Sequence, residues 1–201
     1  MINKLTRRFF LVACALAFAP GAFAASSPTD DVRTSVDGIL VILKNEALDN
    51  QQKRAQMSTI INQRFDFRAM SQRTLATNWK KTSDVQKKQF VELFSQLIES
   101  SYVGKLEDYT DEKVTYPGEK VKGRKAVVET LIVTSSGDVP VNYRLYSKGD
   151  QWLVYDVIIE GVSLISNYRS SYQEIMKDEG FDGLISKMQA KIDELSAATP
   201  S

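Results

Sequence analysis

Histidine is absent from this chain of 201 residues, and cysteine occurs once, at Cys14. Without histidine there is no Ser-His-Asp or Cys-His nucleophile, and with a single cysteine the usual zinc ligand sets cannot be assembled. Neither G-x-x-x-x-G-K-[ST] nor G-x-G-x-x-G occurs, so nucleotide-driven chemistry has no cradle in the chain. A large excess of charge is missing too. Twenty-six Lys and Arg against 25 Asp and Glu leave +1, far from the dense basic footprint of a nucleic-acid binder. No nucleic-acid partner and no cofactor is therefore expected.

Long apolar runs are also lacking. The longest, 9–19, follows Lys4, Arg7 and Arg8 and precedes Ala22-Phe23-Ala24. That is the pattern of a cleaved secretory signal peptide over residues 1–24, too short to span a bilayer. Leu11-Val12-Ala13-Cys14 resembles a lipoprotein processing box. The apolar stretch before it, 9–13, is shorter than the roughly 7–15 residues of an ordinary apolar core, so an export signal is favoured over a lipid anchor at Cys14. One domain over residues 25–201 remains, 201 − 24 = 177 residues with 23 − 25 = −2 charges. With no cysteine left, its core must stabilise it without a disulfide.

What is present changes texture midway. Val32, Val36, Ile39, Leu40 and Leu43 recur at helical spacing and predict a helix over 30–45. A second starts near Asn50, a short third follows Phe65-Asp66-Phe67 and ends near Leu75, and a long fourth runs from the capping box Ser83/Gln86 to about Lys105. The period then becomes two. Val114 and Tyr116 predict a short strand stopped by Pro117-Gly118; 125–134 and 139–146 predict two more. The stretch 151–165, QWLVYDVIIEGVSLI, is apolar on both faces and reads as a central strand that breaks at Gly161 and passes through Ser163 into a helix. A last helix is expected over 182–195. Helices, then hairpin-linked strands, then helices predict an α+β fold: a curved antiparallel sheet of about four strands packed against several helices.

Three groups of residues could carry chemistry. Asp156 and Glu160 on one strand lie about 13 Å apart at ~3.3 Å per residue, beyond the roughly 5–9.5 Å of glycosidase pairs. A structural role fits them better: Asp156 pairing with Arg144 or Arg169, and Glu160 fixing the strand-to-helix turn. Tyr143, Tyr155, Tyr168 and Tyr172, with Phe90, Phe94 and Tyr102, form an aromatic surplus that suits either a filled core or a lined cavity. Basic residues gather at Lys113, Lys120, Lys122, Arg124 and Lys125, and at Lys80, Lys81, Lys87 and Lys88. Both sets read first as solvated faces and second as surfaces for a partner or anionic lipid.

Trp152, Tyr155-Asp156, Glu160-Gly161-Val162-Ser163, Asn167-Tyr168-Arg169 and Gly180-Phe181-Asp182-Gly183-Leu184, in that order and spacing, closely resemble the MlaC, or toluene-tolerance, family of periplasmic phospholipid carriers. Phe65-Asp66-Phe67 with Met70 and the long helix from Ser83 are similar to it as well, so the likeness covers roughly residues 60–195. It implies a fold similar to nuclear-transport-factor-like domains, with lipid tails held between sheet and helices. It also implies a periplasmic shuttle that maintains outer-membrane lipid asymmetry. Its partners would be an outer-membrane lipoprotein–porin complex and an inner-membrane ABC-type lipid transporter, with phospholipid as cargo and no enzymatic step.

By face, Phe94, Ile98, Tyr102, Tyr143, Leu145, Tyr155, Val157, Ile165 and Tyr168 are expected to line the tails. Two rival readings make different demands. An isomerase or dehydratase with Asp156 as general base needs that carboxylate unpaired and facing a pocket. An envelope adaptor needs a filled core with no cavity.

Overall fold

Ser27 starts the described fold by capping a helix whose first residue, Pro28, has no N–H to satisfy. The computed structural model describes residues 26–106, 113–135 and 137–198. The signal-peptide expectation and Cys14 lie outside them. Helix α1 (Pro28–Leu43) is followed by α2 (Asn50–Arg64), opened by an Asp49/Gln52 capping box, and α3 (Phe67–Leu75), capped by Asp66. A 3₁₀ turn, Ala76–Lys80, leads to α4 (Asp84–Leu106). At its start the Ser83 hydroxyl accepts from the Gln86 N–H, and the Gln86 side chain accepts from the Ser83 N–H.

Five strands follow: β1 (Lys113–Lys122), β2 (Lys125–Thr134), β3 (Gly137–Lys148), β4 (Gln151–Ile159) and β5 (Val162–Ser163). They pair antiparallel in sequence order as an open, curved sheet. Helices α5 (Leu164–Asp178) and α6 (Gly180–Ala198) complete the α+β domain.

Three details depart from the sequence reading. β1 does not stop at Pro117-Gly118 but continues through an irregularity there. Proline is tolerated because β1 is an edge strand, with no neighbour awaiting its N–H. A fifth, two-residue strand is added where the central strand was expected to break. Glu160 and Gly161, both at positive φ (49° and 83°), form the two-residue loop between the paired Ile159 and Val162, the signature of a type I′ hairpin. The third departure decides which residues meet. Arg144 pairs with Asp156 and Leu145 with Val154, leaving Tyr155 without an opposite residue. This β-bulge resets the alternation of β4. Val154 faces the same side as Val157 and Ile159, and Tyr155 faces away.

The apolar residues divide into two main clusters. One lies among α3, α4, α5 and α6, around Phe90, Phe94, Ile165, Tyr172, Leu184 and Met188. The other covers one face of the sheet, where Val128, Val141, Leu145, Val154 and Val157 meet Val32 of α1. Ile42 and Met57 join α1 to α2 in a smaller third group.

Candidate functional site

The sheet-facing cluster does not close. Between α1, α2, the C-terminal half of α4 and the sheet lies a cavity of about 440 Å³, within the range of small-molecule sites. Its walls are aliphatic. α1 contributes Val36, Ile39, Leu40 and Leu43; α2 contributes Ile61; the sheet contributes Val114, Ile132, Val139, Val141 and Ile159. The heptad-like spacing of α1 supplies one whole wall. The curved sheet supplies the other, because period-2 alternation sends every second side chain to the concave face.

Polar groups at the border are few, and most are engaged. Arg64 Nη1 sits 2.9 Å from Asp31 and donates to the Trp152 carbonyl at 2.8 Å, while its Nε donates to Ser35 at 3.0 Å. Asp31 in turn accepts the Trp152 N–H at 2.8 Å and the Ser26 hydroxyl at 2.9 Å. This network ties α1, α2 and the start of β4 together beside the cavity. Glu99 of α4 accepts from Ser58 at 2.6 Å and from Asn62 at 3.0 Å, closing the α2–α4 seam. Glu160 is exposed on the turn after β4, which places it at the mouth. Burial pushes the Tyr143 hydroxyl up to about 12, with Tyr116 nearby adding to the effect. Burial also raises Tyr102. Both hydroxyls are therefore neutral at physiological pH.

Of the nine residues expected at the lining, the structure brings four to the cavity: Ile98, Tyr102, Tyr143 and Val157. The other five lie elsewhere, each for a definable reason. Leu145 is on the cavity side of β3 but fully buried against Val32, Val128 and Val154. Phe94, Ile165 and Tyr168 belong to the helical cluster, where Phe94 meets Tyr168 edge-on at 5.4 Å. Tyr155 is turned to the opposite face of the sheet by the bulge, and the Arg73 guanidinium stacks 4.2 Å over its ring. The α1 wall was visible as an amphipathic stripe, but nothing in spacing said what it faced.

Asp156 is 3% exposed and fully occupied. It accepts from Arg144 at 3.0 Å, from the Ser163 hydroxyl at 2.8 Å and from the Ile165 N–H at 3.2 Å. It thereby fixes the passage from β4 into α5. Arg169, the other candidate partner, instead donates to the Arg73 carbonyl at 2.8 Å.

An open antiparallel sheet wrapped by helices around an apolar cavity defines an α+β domain that is hollow between sheet and helices. Residues 33–190 match the model of the MlaC protein family, and the chain belongs to that family. It is 30% identical over 123 residues to the intermembrane phospholipid transport system binding protein MlaC of Haemophilus influenzae, a match spanning 58% of each chain. It is 26% identical over 186 residues to the toluene tolerance protein ttg2D of Pseudomonas putida, spanning 89% of this chain and 86% of that one. The fold matches that of a phospholipid-binding protein from Ralstonia solanacearum, solved in complex with a phospholipid. The TM-score is 0.79 at 24% identity, covering 85% of this chain and 99% of the other.

Proposed function

We propose that this protein is a periplasmic phospholipid carrier. It would hold acyl chains in the cavity while moving lipid between an outer-membrane lipoprotein–porin complex and an inner-membrane ABC-type transporter. The observation that carries this reading is the apolar cavity itself, whose bordering Arg64 is committed to Asp31 and whose Glu99 is committed to Ser58 and Asn62. Such a site offers apolar surface and little polar code. Family membership and the names of the relatives support it.

The physical need is clear from magnitudes. A two-chain phospholipid carries about thirty methylenes, and at ~0.8 kcal/mol each their exposure to water costs on the order of 25 kcal/mol. Crossing an aqueous space unaided is negligibly slow, so the tails must travel covered. Ile98, Tyr102, Tyr143 and Val157, with the α1 stripe, would cover them. The isomerase reading needs Asp156 free and facing the cavity, and its three partners hold it elsewhere.

Val157→Asp is the direct test. Val157 is 7% exposed and borders the cavity. A carboxylate there finds no partner among acyl chains, so the variant should stay folded by circular dichroism yet lose co-purifying phospholipid. Lipid content equal to wild type would overturn the assignment.

A further inference from the structure

The residues that most closely resemble the family pattern mostly do not face the cavity. Asp66, Tyr155, Asp156 and Arg169 gather instead on the opposite face of β3 and β4. Alternation along β3 puts Arg144, Tyr146 and Lys148 on that face, and Lys125 pairs with Tyr146 from β2. Tyr146 donates to Asp66, which also lies 3.7 Å from Lys148. The Tyr146 and Tyr155 rings are 6.3 Å apart. Arg124 borders them, donating to the Ser147 carbonyl at 2.8 Å.

Charge and rigidity set this face apart. Arg73, Arg124, Lys125, Arg144, Lys148 and Arg169 stand against Asp66 and Asp156. Even with Asp150 of the adjoining turn counted, cations outnumber carboxylates two to one, in a chain whose net charge is +1. Arg73 is pinned by stacking on Tyr155 and by donating to the Ala69 carbonyl at 3.0 Å; Arg169 is pinned through its Nε on the Arg73 carbonyl. Neither makes a further hydrogen bond among the described residues, and the carboxylate whose charge Arg73 does feel is Asp66. Arginine forks held in place match carboxylates in a bidentate way and lose little side-chain freedom on binding. The large apolar residues that stand exposed, Val41, Val85, Val121, Val133 and Val162, are not on this patch. A surface made for insertion into lipid would carry them.

We propose that this face, behind the cavity, docks an acidic protein surface through Arg73 and Arg169, leaving the mouth free on the other side of the sheet. It rests on the carrier reading only in that a carrier must meet partners. The probe is a fluorescent glutamate oligomer, followed by anisotropy at low ionic strength, with phosphatidylglycerol vesicles as the competing surface. R73Q/R169Q should weaken oligomer binding about tenfold, the loss of two solvent-screened charge-assisted pairs. Arg124→Glu, an exposed change that gives up only the hydrogen bond to the Ser147 carbonyl, should weaken it in the same direction. K80Q/K81Q/K88Q, on the other basic cluster, should leave it within about twofold, the scale of a screened, exposed charge. Wild-type binding by both R73Q/R169Q and Arg124→Glu, or equal loss in the lysine variant, would overturn the proposal. So would vesicle binding without oligomer binding, which would make the face a membrane contact. Phospholipid content of the same samples is read separately: its absence from wild type would refute the carrier reading and leave the docking result standing.

Discussion

The two apolar clusters are both built of buried hydrophobic side chains, yet one is filled and the other is hollow. Among α3–α6, Phe90, Phe94 and Tyr172 interlock, with ring centroids 5.5–6.3 Å apart and mostly edge-on. Phe90 and Phe94 are fully buried there. Against the sheet, α1 and α2 stand off far enough to leave about 440 Å³. Large aromatic side chains fill the first space. In the second, mainly aliphatic ones coat two walls that do not meet. Side-chain size and the span between the elements together decide whether a core closes.

The contrast predicts how each half fails. Ile165 is 2% exposed inside the filled half. Ile165→Asp buries an unpaired carboxylate there and should prevent folding outright, whereas Val157→Asp should spare the fold. Native circular dichroism for Ile165→Asp would erase the distinction. Phe94→Ala should cost about 3–5 kcal/mol, as buried phenylalanines do when truncated. Ile61→Ala, in the cavity wall, should cost about 1 kcal/mol, since its side chain already faces open space. Urea unfolding of the pair reads the difference directly.

The ties around the hollow half come next in size. Arg64→Met leaves Asp31 without its cation. Their side chains are 15% and 12% exposed, so the loss should be about 2–3 kcal/mol, below the 3–5 of fully buried pairs. The smallest effect is one of pH. Burial raises Tyr143 from 10.0 to about 12, so folding favours its neutral form. That contribution is complete below pH 10 and is lost as pH rises from 10 toward 12. Tyr143→Phe should lessen the alkaline loss of stability and leave the profile at neutral pH unchanged. Tyr116 and Tyr146, also near 12, should keep the remainder.

Most of the fold was legible because its signals are local. Capping pairs such as Ser83/Gln86, the α1 stripe and the alternation in β3 each announce an element from neighbours in sequence. The cavity lining was only partly legible because it depends on what local pattern omits. Period two puts Tyr155 with Val157 and Ile159, and a one-residue bulge separates them. The same helical spacing in α1 and α4 describes a wall of an empty space and a face of a packed one. Asp156 is legible as structural, since a carboxylate in an apolar strand needs partners, and it has three. That Glu160 sits in a type I′ turn was harder to foresee, because glutamate is seldom chosen at positive φ.

The central claim is that the hollow half exists to be filled by lipid. Native mass spectrometry of the detergent-free protein, before and after incubation with phospholipid vesicles, tests it most directly. The account predicts a stable added mass of a phospholipid in the wild type and its absence in Val157→Asp. A bare polypeptide mass before and after vesicle exposure would contradict it.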